Sequence, residues 1–551
     1  MVKTQHRSWL YRYFTNLNFI GLGVGFVFVY ASFLPSLLPR GWILQGVLSA
    51  VLFCMGYGIG IISSYVIRQF KVSEPDTKQK TRFKKYAYWV LLVLYALALT
   101  LGANWQRQVN KLVGQAPENV TSVIGVIAVT ILVIMFILFI SRSIRSLYHW
   151  LKRQVLKVLP AKLAYAAAWT LALLLVVGLT NGVIISGVMD VLNQAYSIKN
   201  NTTNEGVTQP TSPELSGSPQ SLISWDSLGR QGRNFISQVR PIQKISDFNG
   251  SPAKAPIRIY SGLESANSVS ARAQLALDDL IRAGGFKRKI IVVVTTTGTG
   301  WVDQSGVNPI EYMYNGDSAI VAMQYSYLPS SLSFLVDQTK AKQAGLDLYN
   351  AVLGEWIKMP AASRPKLVVF GESLGSFGSE TAFPGESTFL ATSDGAVWAG
   401  PPNFNTLRRA ATANRDAGSP EIKPIFQGGQ TVRFMVQPSD LTNPDVNKWQ
   451  QPRAVYLENS SDPIVWWSPN LLFHKPDWLK EPRGADVSTA TTWLPFITFW
   501  QVSGDMVWST GVPDGHGHKY GNLPTDAWSY VAPPPGWTQQ KTDALKAELS
   551  K

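Results

Sequence analysis

A serine between glycines is the residue of this sequence best suited to nucleophilic chemistry. Ser373 is the central residue of Gly-Glu-Ser-Leu-Gly at 371–375, directly after a short apolar run at 366–370. A G-x-S-x-G sequence between a strand and a helix is typical of a nucleophile elbow, whose tight turn exposes the serine hydroxyl. The alternative is an ordinary strand-to-helix turn in which the serine caps the helix. The predicted strand before Ser373 favours the role of nucleophile over that of a helix cap.

A serine hydroxyl is a weak nucleophile and needs a base, which is usually a histidine. The chain has five histidines, and His6, His149 and His474 lie in N-terminal or surface-like segments. This elimination leaves His516 and His518, in the sequence Asp-Gly-His-Gly-His. We favour His516 because flanking glycines suit a loop that carries an imidazole over a sheet, and His518 is the alternative base. A zinc site at this pair is disfavoured, since no third ligand is evident nearby.

An acid must orient the imidazole, and in such folds it lies between the serine and the histidine in the sequence. Asp462 is the best candidate because it follows the strand-like run 454–458 in the turn Asn-Ser-Ser-Asp-Pro. Asp440, which follows the run 432–436, is the second choice. An aspartate before proline is also a common turn residue, so a purely structural role stays open.

An oxyanion hole should combine the amide after the nucleophile with one from an earlier strand-to-helix loop. The first is the amide of Leu374. The second is expected from Gly298 or Thr299, in the Thr-Thr-Thr-Gly-Thr-Gly loop at 295–300. Neither phosphate-binding spacing, G-x-x-x-x-G-K-[ST] or G-x-G-x-x-G, occurs in this loop. The loop is therefore not predicted to bind a phosphate group. We expect no cofactor and no metal in this protein.

The region around these residues alternates between strand and helix patterns. Such alternation predicts a mostly parallel sheet flanked by helices. β-Branched apolar runs are typical of its buried strands. The predicted strands are 257–260, 289–295, 319–325 and 366–370, and the predicted helices are 271–283 and 334–359.

The first third of the chain holds apolar segments long enough to span a bilayer, which needs about 20 residues. None of these segments contains a charged residue or a histidine, which favours an all-α transmembrane bundle serving as an anchor over a transport pathway. Five spans are predicted, at 19–38, 42–67, 86–103, 120–140 and 163–189.

Lysine and arginine concentrate before the first span and in the loops after the second and fourth spans. Because basic loops stay in the cytoplasm, the N-terminus is predicted inside and the region after about residue 189 outside. One span more or fewer would reverse that placement. The predicted organisation is a cytoplasmic N-terminus at 1–18, a multi-pass membrane domain at 19–190, a flexible linker at 191–250 and a catalytic domain at 251–551.

The composition agrees with a membrane protein. The chain has 551 residues and a formal net charge of +15, yet only 15% of its residues are charged. The excess of basic residues is better explained by membrane topology and anionic lipid than by nucleic acid, because no basic-aromatic nucleic-acid module is apparent. Cys54 is the single cysteine, so an internal disulfide and a cysteine-based zinc site are excluded.

Several longer motifs resemble a known family. They are Ser-Phe-Leu-Pro-Ser-Leu-Leu-Pro-Arg at 32–40, Ser-Trp-Asp-Ser-Leu-Gly-Arg-Gln-Gly-Arg at 224–233, the elbow at 371–375, Ser-Asp-Pro-Ile-Val-Trp-Trp at 461–467 and Gly-His-Gly-His at 515–518. Together they resemble the actinobacterial membrane α/β-hydrolases that carry an N-terminal multi-span domain. The resemblance implies the hydrolase fold and a triad of Ser373, Asp462 and a histidine, without a defined substrate.

The expected function is that of a membrane-anchored, esterase-like or lipase-like serine hydrolase acting on acyl esters or lipids of the cell envelope. Its expected partners are the bilayer and a lipid or acyl-ester substrate, with no nucleic acid. An envelope acyltransferase using the same acyl-enzyme is one alternative. A non-catalytic envelope regulator that retains the fold is another, and the oligomeric state is not predicted.

Overall fold

The computed structural model describes residues 17–70, 77–116, 123–179, 186–443 and 446–551. The described chain forms two compact units. The helical unit contains the described residues up to 179 together with Pro469–Leu479 and Ala485–Trp508. The sheet unit contains Ser186–Ser468, Lys480–Gly484 and Ser509–Lys551.

The helical unit is built from apolar helices. Among the described residues, four helices are long and apolar enough to cross a membrane, by length and composition: Trp42–Gln69, Lys85–Leu112, Val123–Val155 and Ala161–Gly178. The helices of this unit are α1 (Phe19–Ser32), α2 (Trp42–Gln69), α3 (Thr77–Leu112), α4 (Val123–Val155) and α5 (Ala161–Gly178), and a later helix at Ile497–Val507.

The first predicted span, 19–38, is shorter than expected. Helix α1 has 14 residues and ends at Ser32, so it falls below the length of the four longer helices. The reason is the Pro35 and Pro39 pair, since proline disfavours helix at the preceding residue and removes a backbone donor. The outward orientation of the sheet unit depended on five spans and therefore remains a prediction.

The other predicted spans differ from the helices mainly at their ends. Helix α5 ends at Gly178, residues 180–185 lie outside the described residues, and Met189 belongs to the next helix, Ser186–Asn200. Residues 120–122 of the fourth predicted span and residues 1–16 of the N-terminal segment also lie outside the described residues.

The sheet unit contains a seven-stranded sheet in the order β1-β3-β2-β4-β5-β7-β6. All neighbouring strands are parallel, which confirms the predicted fold class. Strand β2 is buried along its full length, as β-branched runs in a sheet covered on both faces should be. The strands are β1 (Ile257–Ser261), β2 (Ile290–Thr295), β3 (Ser318–Met323), β4 (Lys366–Glu372), β5 (Gly395–Ala399), β6 (Val432–Met435) and β7 (Arg453–Leu457).

Helices cover this sheet and bury one continuous apolar core. The helix predicted at 334–359 is two helices, because the chain breaks at Asp337, whose buried carboxylate accepts a hydrogen bond from the Ser326 hydroxyl (2.5 Å). The helices of the sheet unit are Ser186–Asn200, Gly229–Ser237, Ile242–Asn249, Val269–Arg282, Gln304–Met313, Ser330–Val336, Gln338–Trp356, Leu374–Glu380, Glu386–Thr392, Thr406–Ala413, Pro463–Trp466, Leu523–Val531 and Gln539–Leu549.

The segment 191–250, predicted to be a flexible linker, is folded. Ile223, Phe235 and Ile245 are buried in the main core. Polar groups of the segment also have a structural role, because they donate hydrogen bonds to the buried carboxylate of Asp279. These donors are the hydroxyls of Ser216 (2.8 Å) and Ser221 (2.9 Å) and the amide of Leu222 (2.9 Å). The linker-like composition therefore includes residues that donate hydrogen bonds to one buried carboxylate.

The carboxyl ends of parallel strands meet at one edge of a sheet, where such folds bind ligands. Strand β4 lies between β2 and β5, and β5 lies next to β7. The loops that follow β2, β4 and β7 carry the expected oxyanion residues, the serine and the aspartate, respectively.

Candidate active site

Ser373 occupies a strained turn between β4 and the helix Leu374–Glu380. Its backbone has φ 55° and ψ −129°, a conformation that residues other than glycine rarely adopt. The amide of Ser373 donates to the carbonyl of Ala399 at the end of β5 (2.9 Å). The turn is thus held from the neighbouring strand, and the geometry is that of a nucleophile elbow.

The two elbow glycines are required by close backbone contacts. A Cβ at Gly371 would lie 2.5 Å from the Gly375 carbonyl oxygen. A Cβ at Gly375 would clash with the carbonyl of Thr295 and lie 2.9 Å from that of Thr296. Glycine at both positions therefore lets the helix start against the strand and against the loop that follows β2.

Asp462 and His518 form the hydrogen-bonded pair of the site. Asp462 Oδ2 lies 2.7 Å from His518 Nδ1, and the aspartate side chain is fully buried. The other carboxylate oxygen accepts from the amide of Ile464 (2.8 Å), because Asp462 caps the short helix Pro463–Trp466. This cap fixes the carboxylate while it contacts the imidazole.

Tyr520 adds a second donor to the same carboxylate, and sequence reasoning missed it. Its hydroxyl donates to Asp462 Oδ2 (2.6 Å). Burial raises the pKa of the Tyr520 phenol well above its ordinary value, and the nearby Asp462 raises it further. The phenol consequently stays protonated and acts as a donor. The signal available in the sequence was only an aromatic residue two positions after His518.

The favoured base, His516, is not the histidine that contacts Asp462. The structure brings His518 to the aspartate and leaves His516 partly exposed. A tight turn explains the choice: the amide of Gly515 donates to the Lys519 carbonyl (2.8 Å), and that of Lys519 donates to the His516 carbonyl (3.2 Å). Spacing in the sequence could not reveal which ring the turn presents.

Residues before Asp462 hold the histidine loop in place. Asn459 Nδ2 donates to the carbonyls of Gly517 (2.9 Å) and Lys519 (3.1 Å). The Ser461 hydroxyl accepts from the amide of Gly517 (2.8 Å). Asn459 and Ser461 are both fully buried, although their sequence resembles an exposed turn. One loop therefore supplies the aspartate and also anchors the backbone that carries His518.

The ring of His518 packs beside the elbow. A Cβ at Gly400 would clash with His518 Cε1 and lie 2.7 Å from Nδ1, and Gly400 directly follows Ala399, whose carbonyl binds the Ser373 amide. His518 Nε2 is buried and has no hydrogen-bond partner among the described residues. With Nδ1 engaged by Asp462, Nε2 is the nitrogen left to interact with a hydroxyl.

Asp440, the second candidate for the acid, accepts hydrogen bonds from the backbone of its own turn. Its carboxylate accepts from the amides of Val436 and Gln437 (both 2.9 Å) and pairs with Lys423 Nζ (3.1 Å). These contacts occupy the aspartate after β6 and leave Asp462 as the acid next to a histidine.

Of the three expected oxyanion donors, Leu374 lies at the elbow, whereas Gly298 and Thr299 make other contacts. Leu374 starts the helix after Ser373, where an amide has no partner within its own helix. Gly298 instead packs against the Leu328 carbonyl and Ser333, and the Thr299 carbonyl accepts from Gln324 (2.9 Å). The part of this loop that meets the elbow is the backbone of Thr295 and Thr296, at Gly375.

A carboxyl pair lies next to the serine. Glu372, the residue before Ser373, interacts electrostatically with Asp303, which caps the helix Gln304–Met313. Burial raises the pKa of Glu372 well above its ordinary value, and the charge of Asp303 raises it further. Burial also raises the pKa of Asp303. Two neighbouring carboxyls oppose each other's ionisation, which adds to the effect of burial on Glu372.

A parallel sheet with a strained serine after a central strand and an aspartate–histidine pair on later loops defines the α/β-hydrolase class of folds. The chain belongs to the alpha/beta-hydrolase family, which matches residues 257–545. Residues 33–239 match the family described as the alpha/beta-hydrolase family N-terminus. These two matches confirm the resemblance to hydrolases with an additional N-terminal domain. No curated protein and no solved structure matches the chain.

Proposed function

We propose that the protein is a membrane-anchored serine hydrolase that cleaves acyl esters through a triad of Ser373, His518 and Asp462. The observation that carries this proposal is the hydrogen bond between His518 Nδ1 and Asp462, beside a serine in elbow geometry. The family membership supports hydrolase chemistry in general, and the triad supports its serine form.

In the first half of the reaction, the Ser373 hydroxyl attacks the ester carbonyl and His518 Nε2 takes its proton. Asp462 accepts from Nδ1–H and stabilises the imidazolium that forms. The oxyanion accepts from the amide of Leu374 and from that of Thr296, which replaces Gly298 and Thr299 in this role. Collapse expels the alcohol, which receives the proton from His518, and leaves the acyl group on Ser373.

In the second half, water attacks the acyl-enzyme while His518 again takes a proton. The tetrahedral intermediate collapses to release the carboxylic acid, and His518 returns the proton to Ser373. Tyr520 and Ile464 hold the Asp462 carboxylate throughout, since both donate to it. The cycle therefore consumes one ester and one water and needs no other reactant.

The proposed location is the membrane, with lipid-like acyl esters as substrates. Four helices have the length and apolarity of membrane spans, and the basic loops between apolar segments suit a cytoplasmic face. A hydrolase anchored in this way acts where acyl lipids are concentrated. We keep the sheet unit outside the cytoplasm as part of the proposal, which requires the shorter apolar helix α1 to cross the membrane as a fifth span. Protease accessibility in intact cells tests this orientation.

The test of the triad is covalent labelling of the full chain with a fluorophosphonate probe. We expect labelling of the wild type and its loss in Ser373→Ala, while Ser387→Ala, at an exposed serine of the sheet unit, serves as the matched serine control. Labelling that persists in Ser373→Ala, at a site that mass spectrometry assigns to another residue, would contradict the proposal. Hydrolysis of p-nitrophenyl acyl esters of increasing chain length then defines the preferred acyl group.

A further inference from the structure

A cavity inside the helical unit holds two buried amide groups with unused hydrogen-bonding atoms. It lies between α2, α3 and α4 and has a volume of about 220 Å³. Its walls are largely apolar, and the residues that matter to the argument are Phe33, Gln45, Leu99, Gln106, Asn110 and Val126.

Gln45 presents a free acceptor. Its Nε2 donates to the Ser32 carbonyl (3.4 Å) as well as to the hydroxyls of Ser32 (3.2 Å) and Ser49 (3.1 Å), and because a carbonyl can only accept, the orientation of the amide is fixed. Its Oε1 is buried and has no hydrogen-bond partner in the part of the chain that the structure describes. The residue is only 1% exposed, so bulk water does not satisfy that oxygen.

Gln106 presents a free donor. Its Oε1 accepts from the backbone N–H of Arg40 (2.8 Å), and an N–H can donate only to the oxygen, so the amide orientation is again fixed. Its Nε2 is buried without a hydrogen-bond partner among the described residues, and the side chain is 8% exposed. Buried polar atoms normally find a partner, so this pair points to a missing group.

The missing group must both donate and accept. A hydroxyl meets that requirement, because its O–H can donate to Gln45 Oε1 while its lone pairs accept from Gln106 Nε2. A phosphate is a poorer match for the interior of the cavity. The guanidinium of buried Arg40 is already used by the carbonyls of Ser32 (3.1 Å) and Leu34 (2.9 Å) and faces Asp505 at 3.7 Å.

The hydroxyl should be carried by a chain. Gln106 and Asn110 also line a second cavity of about 470 Å³, whose remaining wall is mainly apolar and includes Trp42, Val47 and Trp508. Trp42 and Trp508 are substantially exposed, and tryptophan is typical of the membrane interface. Helices of membrane-spanning length surround both cavities, so the available occupant is lipid.

We infer that the helical unit binds a neutral lipid with a free hydroxyl, such as a long-chain alcohol or a monoacylglycerol. The hydroxyl bridges Gln45 and Gln106, and the chain lies in the larger apolar cavity. Arg107, the cation at the rim of the smaller cavity, is exposed and donates to Asn104. The site belongs to the helical unit and Ser373 to the sheet unit, and the inference does not rest on the proposed ester hydrolysis.

The test uses the full-length protein in detergent and three ligands without an ester: 1-hexadecanol, its methyl ether and hexadecane. We expect hexadecanol to raise the Tm and to bind at least about tenfold more tightly than the ether, which cannot donate. Equal binding of alcohol and ether, or no binding of either, would overturn the inference and indicate a cavity filled by water. Because no ligand is an ester, the outcome is independent of Ser373 chemistry.

Variants add a second test of the same site. Gln106→Met removes the donor, and Gln108→Met, on an exposed position of the same helix, is the matched control. We expect only Gln106→Met to abolish the preference for alcohol over ether; retention of that preference would overturn the assignment of Gln106. If Gln106→Met fails to fold, the ligand series on the wild type still tests whether the helical unit binds a lipid hydroxyl.

Discussion

The carboxylate of Asp462 contacts Nδ1 of His518 at 2.7 Å, although 56 positions of sequence separate the two residues. Much of the intervening chain, Pro469–Leu479 and Ala485–Trp508, belongs to the helical unit. Between the aspartate and the histidine, the chain thus belongs mostly to the helical unit and returns briefly to the sheet unit at Lys480–Gly484. Their contact is set by the local bonds of the two loops, which makes those bonds the natural targets of experiment.

The two histidines of the Gly-His-Gly-His segment should differ sharply in their effect on activity. His518→Ala removes the only imidazole next to Asp462 among the described residues and should lower kcat by a factor on the order of 10³ or more. His516→Ala is the matched control and should stay within a few-fold of the wild type. Ester hydrolysis by the purified full chain measures both, and a large loss in His516→Ala alone would reverse the assignment.

Asn459→Ala should weaken both stability and activity. The side chain donates to two backbone carbonyls of the histidine loop from a fully buried position, so its loss removes the donor to the Gly517 carbonyl and one of the two donors to the Lys519 carbonyl. We expect about 1–3 kcal/mol of destabilisation and a lower kcat with little change in KM. Thermal unfolding and steady-state kinetics test this expectation. Asn414→Ala, at an exposed site, should change neither, and an unchanged kcat in Asn459→Ala would rule out the positioning role.

Glu372→Gln should alter the pH dependence of stability. The pKa of Glu372 is raised in the folded state, so folding binds a proton that the unfolded chain releases above its ordinary pKa of 4.5. The stability that this proton uptake contributes to the folded state is fully present below the ordinary pKa of the glutamate. That stability is lost as the pH rises through the folded-state pKa. The variant should therefore gain stability relative to the wild type as the pH increases.

Thermal unfolding between about pH 4 and pH 9 measures the difference between Glu372→Gln and the wild type. Glu205→Gln, at an exposed glutamate, provides the control and should run parallel to the wild type. A constant difference across the range would show that Glu372 does not take up a proton on folding.

Asp505→Ala should destabilise the helical unit strongly. The carboxylate accepts from the amides of Leu37 (3.0 Å) and Leu38 (3.4 Å) and lies opposite Arg40, with both charged side chains fully buried. Its removal leaves a buried guanidinium without its counter-charge, which typically costs about 3–5 kcal/mol. Thermal unfolding of the purified protein measures this loss.

A double variant distinguishes the ion pair from simple packing. Arg40→Met together with Asp505→Leu replaces both charges and should be less destabilised than the sum of the single variants. Additive losses would indicate that the two residues do not interact.

The sequence by itself determined the elements whose signal is local. The strands β2 and β4 are continuous apolar runs, and the elbow motif immediately follows one of them, so Ser373 and the fold class could be predicted. Asp462 is a candidate from sequence as well, because it follows a strand and precedes the histidines in the required order, and its catalytic role stays a prediction. These features depend on neighbours within a few residues, which the sequence displays directly.

The tertiary structure decided what depends on distant partners. His516 and His518 have the same chemistry two positions apart, and only the turn at Gly515 and the bonds from Asn459 decide which ring meets Asp462. The segment 191–250 is predicted to be a linker because residues 197–221 are rich in Asn, Thr, Ser, Pro and Gly. Ser216 and Ser221 acquire a structural role only through Asp279, far along the chain. Burial turns a polar side chain into a necessary partner, and burial is a property of the folded molecule.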